Sequence, residues 1–336
     1  MLRRMSTEAL QRAAQAARAG DLAALDQILR EVPDVVSARD HSGFSLLSLA
    51  CNAATEDVAL PPVPGGPEQH AAVDRILAAG ADPSAASHAG WAPLHAAAMT
   101  GHKGLARRLL AAGASRAGQL LGCSGGSPLS LALFYGKREV AEVLATPPPP
   151  SPDSLRTAAA LGRSLDRFLD GERLTPAAAE GSDFYRPLPV FPEWQRTNDR
   201  QELLDEALCW AARNGQLGSM ERLVALGADP NANPYRGTPL LWSVYSDNVA
   251  AAAWLLDHGA DPDLRHDFGG AEHGKGAVAL HLAAQFSCLG CLRLLLERGA
   301  DPNIQDAAYA STPLGWAEHD GAQDSIEILR AARSSG

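Results

Sequence analysis

Gly299-Ala300-Asp301-Pro302, followed by Thr312-Pro313-Leu314-Gly315-Trp316-Ala317, is the stretch on which the fold of this 336-residue chain turns. The tetrad recurs at Gly80 to Pro83, Gly227 to Pro230 and Gly259 to Pro262, with a degenerate Gly113-Ala114-Ser115 between them. The hexad recurs as Ala92-Pro93-Leu94-His95-Ala96-Ala97, Ser127-Pro128-Leu129-Ser130-Leu131-Ala132, Thr238-Pro239-Leu240-Leu241-Trp242-Ser243 and Val278-Ala279-Leu280-His281-Leu282-Ala283. Thr238-Pro239 and Thr312-Pro313 set a capping hydroxyl before a proline, whose missing N–H has no intrahelical partner in a first turn, so a helix begins at each. Gly227, Gly259 and Gly299 close runs such as Leu292 to Arg298, where a chain leaving a helix needs a residue that tolerates positive φ. Each unit is therefore two helices and a turn. One such pair cannot bury its Leu/Ala face alone, so neighbours stack and share a core.

The motif leucines fall 35 residues apart from Leu94 to Leu129 and 34 apart from Leu280 to Leu314. In period and in the Thr-Pro-Leu-His type of marker the chain resembles the ankyrin repeat. The fold class expected is an all-α, ankyrin-repeat solenoid of about nine stacked helix-turn-helix units with a central interruption. The pairs are expected at 6–30, at Ser45 to Ala54 with Gln69 to Ala79, at 93–112, at 128–145, in degenerate form at Ser154 to Leu169, and from 201, 238, 278 and 312 onward. Pro147 to Pro150 stop a helix and stiffen a connector. The domain division expected is 1–146 for N-terminal repeats, 147–200 for connector, degenerate repeat and insertion, and 201–336 for C-terminal repeats.

Composition narrows the functions. The chain is 46% hydrophobic and 20% charged, too apolar for disorder, and no run approaches the roughly 18 apolar residues of a membrane span. Its start carries no apolar signal core, so the expected address is the cytoplasm, with no membrane partner. A formal charge of -10 without Lys/Arg clusters argues against a nucleic-acid partner. The five cysteines are odd in number and spread out, which suits reduced thiols, and Cys288-x-x-Cys291 lacks a second pair at zinc spacing. No cofactor and no metal site is expected.

Two insertions break the period. The first runs from Phe184 to Trp194 and holds four aromatics and three prolines, including Tyr185, Arg186 and Trp194; it reads as a surface-lying cover or one wall of a ligand site. The second, Asp263 to Gly276, enlarges one loop with His266, Asp267 and His273. Its histidine–carboxylate neighbours are adjacent in sequence, which seldom lets them face each other, and no nucleophile motif accompanies them. Asp261-Pro262-Asp263 reads as a turn, since it lacks the later ligands of a calcium loop. His95 and His281 read as ties between neighbouring turns, and Trp242 and Trp316 as packing.

The resemblance implies that residues just before the glycine closing each first helix, together with the loop tips, face a concave groove. On this chain those are Tyr135, Arg213, Asn214, Tyr245, Phe286, His319 and Asp320 on helices, and Trp91, Tyr235, Arg236 and Tyr309 at tips. Five of six Trp and four of five Tyr lie beyond residue 180, which places the main site in the C-terminal half. The function expected is the gripping of a protein or peptide partner in that groove. The alternative is an enzyme or small-molecule binding protein whose pocket is closed by residues 184–194 and 265–275.

Overall fold

The computed structural model describes residues 2–51, 66–121, 126–146, 154–179, 197, 199–267 and 274–334. Their helices fall into two compact units, those from Leu2 to Leu144 and those from Leu155 to Ser334.

In the first unit α1 (Leu2–Ala19) pairs with α2 (Leu22–Glu31), α3 (Leu46–Ala50) with α4 (Pro67–Ala78), α5 (Pro93–Thr100) with α6 (Lys103–Ala111), and α7 (Pro128–Phe134) with α8 (Arg138–Leu144). First helices touch first helices and second touch second, so the unit is two parallel layers of helices. In the second unit α10 (Arg200–Arg213) pairs with α11 (Leu217–Ala225), α12 (Pro239–Tyr245) with α13 (Val249–Asp257), α14 (Ala279–Gln285) with α15 (Leu289–Glu297), and α16 (Pro313–Asp320) with α17 (Gln323–Ser334). Ahead of them α9 (Leu155–Ala160) packs on α10. Within each unit the helix pairs expected from the repeats stack on their neighbours.

The degenerate repeat differs from its expectation. Where a second helix was expected after α9, the chain makes a 3-10 turn at Asp166–Phe168, a two-stranded ribbon of β1 (Leu169–Asp170) with β2 (Arg173–Leu174), and another 3-10 turn at Pro176–Ala178. Gly171 turns the ribbon at φ 63° and Pro176 removes a donor, so the segment lacks an uninterrupted helical run. Phe168 and Ala178 still enter the core beside Leu155 and Leu204, which keeps the face covered without a helix. The enlarged loop likewise carries a short ribbon, β3 (His266–Asp267) with β4 (Lys275–Ala277).

Helix starts follow the sequence. Thr238 Oγ1 accepts from Leu241 N at 3.2 Å and Thr312 Oγ1 from Gly315 N at 3.4 Å, and Ser127 and Ser154 do the same for α7 and α9. The tetrad aspartates make the turn that follows: Asp229, Asp261 and Asp301 each accept from the amide two residues on at 2.8 Å.

The two motif histidines act as ties. His95 Nδ1 accepts from Ala92 N at 3.1 Å, leaving Nε2 to donate to Gly126 O at 3.1 Å in the next repeat. His281 does the same with Val278 N and Ser311 O, at 3.2 and 3.0 Å. Burial pushes the His95 imidazole down to about 4, against the pull of its bonds to Gly126, Gly118 and Ala92. Because this folded value lies below the unfolded value near 6.5, the stability it contributes is whole above about pH 6.5 and is lost as the pH falls toward 4. The free energy of urea unfolding should drop between pH 7 and 5, by up to about 1.4 kcal/mol per pH unit for this group. His95→Gln should flatten that slope; equal slopes in the two proteins would remove the assignment.

Candidate functional site

In the second unit the first helices α10, α12, α14 and α16 lie side by side, and each ends at a left-handed residue: Gly215, Asp247, Ser287 and Gly321, with φ 68°, 46°, 54° and 68°. Asp247 and Ser287 stand where the repeat calls for glycine and adopt the same turn, so the residues just before them keep their phase. Asp247 gains something in return, since its carboxylate accepts from Cys291 N at 2.9 Å. Ser287 makes no comparable side-chain bond among the described residues. Ser287→Gly is therefore expected to raise stability by up to about 1 kcal/mol, while Asp247→Gly lowers it. Thermal melts of the two variants distinguish these signs.

The row of aromatic groups starts with a cation. The Arg213 guanidinium lies 3.6 Å from the Trp242 ring centroid and 5.9 Å from that of Trp210. Trp242 meets Tyr245 edge-on at 5.8 Å, and Tyr245 meets Phe286 edge-on at 5.3 Å, which carries the contact from α12 to the end of α14. Exposure rises along this line. Arg213 and Asn214 are each 2% exposed, Tyr245 is half-buried and Phe286 is 44% exposed. Arg213 and Asn214 were expected to face the groove and are instead buried, Arg213 with its guanidinium over the Trp242 ring and Asn214 with its amide donating to Trp210 O at 2.9 Å. Burial lowers the Arg213 pKa to about 9, partly opposed by Cys209 and Tyr245, and burial raises the Tyr245 phenol.

Past Phe286 the face opens into a cavity of about 510 Å³ lined by Gln285, Tyr309, Ser311, Trp316, His319 and Asp320. Its architect is Asp306, which sequence reading passed over. The buried Asp306 carboxylate accepts from Ala308 N at 2.8 Å, Tyr309 N at 2.6 Å, Ser311 N at 3.0 Å and Trp316 Nε1 at 3.0 Å. One side chain thus shapes the loop tip and fixes the indole beneath it. Burial alone would raise this carboxyl; the bonds from Tyr309, Trp316, Ser311 and Ala308 outweigh it and hold it below the ordinary range. The legible hint was Asp40, earlier in the chain, whose carboxylate accepts from Ser42 N and Phe44 N at the tip of its own loop. Trp316 also meets His281 edge-on at 5.1 Å, so the expectation that it packs is met, and it lines the cavity as well.

The remaining expected residues divide. Tyr235 is buried, and its carbonyl accepts from Trp242 Nε1 at 3.4 Å, while Arg236 sits at φ 58° with its guanidinium 6.0 Å from the Tyr235 ring. His266 is buried, and burial, with His281 near it, pushes its imidazole down to about 3, so it is neutral and remote from acid–base work at neutral pH. Asp267 pairs with Lys275 in the short ribbon. Trp91 and Tyr135 belong to the first unit, where Trp91 meets His95 at 6.0 Å and Tyr135 meets Phe134 at 5.3 Å. Tyr185, Arg186, Trp194 and His273 lie outside the described residues. Within the second unit the structure gathers Tyr309, His319 and Asp320 round the cavity and Arg213, Tyr245 and Phe286 along the aromatic row.

Among the described residues no group of His, Cys, Asp and Glu is placed to hold a metal ion, and no helix is long and apolar enough to cross a membrane. The four described cysteines are buried free thiols. Burial pushes Cys51 up to about 12 and Cys288 to about 11, and raises Cys209 and Cys291 as well, so none is a ready thiolate.

A family model of ankyrin repeats matches the chain three times, over residues 67–153, 177–266 and 208–306. The chain is 31% identical over 128 residues to cyclin-dependent kinase 4 inhibitor B of Rattus norvegicus, an alignment spanning 38% of this chain and 93% of that protein. It is 38% identical over 95 residues to protein PhlB of Serratia liquefaciens, covering 28% of this chain and 39% of PhlB. With the ankyrin repeat, SAM and basic leucine zipper domain-containing protein 1 of Loxodonta africana it shares 29% over 162 residues, or 48% of this chain and 31% of that one.

Proposed function

Since the chain belongs to the ankyrin-repeat family, we propose that it is a protein-binding module that holds a peptide segment of its partner along the first-helix face of the C-terminal repeats. The observation that carries this reading is the line from Arg213 over Trp242 through Tyr245 to the exposed Phe286. Buried Arg and Trp at one end hold the aromatic edges rigid, and rigid aromatic groups offer contact area at little cost in conformational entropy. The similarity to a protein named as a kinase inhibitor supports partner binding as the class of activity.

The test uses peptides selected from a random display library against the full chain, with affinities then measured on Tyr245→Ala/Phe286→Ala. Tyr245 is half-buried and Phe286 exposed, so this variant keeps its fold, which circular dichroism checks. Binding should weaken by about tenfold or more, the loss expected from truncating two aromatic contacts. A selection that yields no binders, or binders that hold both proteins equally, overturns the proposal.

A further inference from the structure

We infer that the cavity between α14 and α16 is a receptor for a guanidinium group, an arginine side chain of the bound segment; the inference rests on the protein-binding reading above and deepens it. The first argument is charge. Asp320 carries the fixed charge of the described lining, and no lysine or arginine joins it. An anion would meet no counter-charge there, whereas a cation would, inside a chain whose formal charge of -10 already attracts cations.

The second argument is what the acceptors lack. Gln285 Oε1 is buried with no donor in reach among the described residues, a state that costs free energy unless a ligand or water supplies the hydrogen. Asp320 likewise has no ion-pair or hydrogen-bond partner among the described residues, although its neighbour Glu318 is paired with Arg330 at 2.8 Å. Asp320 also ends α16, where the helix dipole favours cations and disfavours a carboxylate. An exposed acid in that place contributes nothing evident to the helix, and it borders the cavity.

Shape decides between the two cationic side chains. Tyr309, 60% exposed, and Trp316 present aromatic surface on the same cavity as the two separate acceptors. A guanidinium stacks flat on a ring and spreads five donors in a rigid fork, so it can reach an amide oxygen and a carboxylate at once. An ammonium is a compact, strongly hydrated point and uses such a site less well. The volume of about 510 Å³ exceeds one side chain and leaves room for the residues flanking the arginine.

The test adds acetyl-Gly-Arg-Gly-amide, and its lysine and citrulline counterparts, to the full chain while the indole N–H of Trp316 is followed by NMR, assigned with Trp316→Phe. The arginine peptide should shift that signal saturably below about 10 mM, the range expected of one side chain in one site. The lysine peptide should bind about fivefold more weakly or worse, and citrulline, which keeps the shape and loses the charge, should not saturate. Asp320→Asn should weaken the arginine peptide by about fivefold with no loss of melting temperature, because the substitution removes a charge that the helix end disfavours. Equal binding of citrulline, no saturation with arginine, or an indifferent Asp320→Asn each overturns the inference. If library-selected peptides still depend on Tyr245 and Phe286 while the tripeptide fails, only the guanidinium site falls; if those peptides also ignore Tyr245 and Phe286, the broader reading falls with it.

Discussion

Arg156→Leu is expected to cost about 3–5 kcal/mol in urea unfolding, the largest effect of any single substitution proposed for this chain. Arg156 on α9 is wholly buried, and its Nε donates to the carboxylate of Glu206 on α10, itself 2% exposed. Removing the guanidinium takes a charged hydrogen-bond donor from a carboxylate that stays in the core, where Arg213 is a further cation acting on it, so Glu206 either stays charged at a higher cost or takes up a proton. The site matters because, among the described residues, α9 has no second helix of its own and packs mainly on α10. The double variant Arg156→Leu/Glu206→Leu removes both charges and should recover much of the loss, since most of the single variant's cost is a buried carboxylate that has lost a charged donor and not the absent attraction itself. A single variant within about 1 kcal/mol of wild type, or a double variant no better than the single, would show that the pair is solvated in solution.

Nothing in the sequence marked that pair, and the reason separates what could be read from what could not. The tetrad glycines, the Thr-Pro starts and the motif leucines act on their own backbone within a few residues, and they repeat, so their meaning is visible in one dimension. Arg156 and Glu206 are 50 positions apart, and either alone reads as a solvated charge. The same limit applied to Arg213. Its place before a helix-closing glycine predicted a groove-facing position, but the approach of its guanidinium to Trp242, 29 residues on, depends on which rotamer the neighbouring repeat leaves room for. The ribbon after α9 hides for another reason: Leu165, Phe168 and Leu174 supply apolar groups at a spacing compatible with a helix, and Gly171 and Pro176 decide against one. At the candidate site, composition pointed to the half of the molecule that holds the aromatic row, and the phase of the first helices picked out Tyr245 and Phe286 on that row and His319 and Asp320 at the cavity. The cavity needed Asp306 as well, a residue whose work is done through four bonds that only the folded loop closes.

Asp306→Ala should therefore lower stability by about 2–4 kcal/mol and, before global unfolding, loosen the loop from Asp306 to Ser311. Three backbone amides and an indole N–H lose their acceptor together, and a methyl group replaces none of them. Hydrogen exchange at Ala308, Tyr309 and Ser311 should quicken far more than at Leu280 or Leu282 in the buried α14, which would leave a uniformly destabilised protein as the wrong description. Acid provides an independent check on the sign. Because the folded pKa of Asp306 is held below its unfolded value near 3.9, its contribution is whole above that value and vanishes as the pH falls through the folded one. Wild type should lose stability steeply below about pH 4, and Asp306→Asn, which cannot titrate, should lose less over the same interval. Identical acid limbs would mean that the carboxylate's charge is idle in the fold, and the geometry of Tyr309 and Trp316 at the cavity would then need another support.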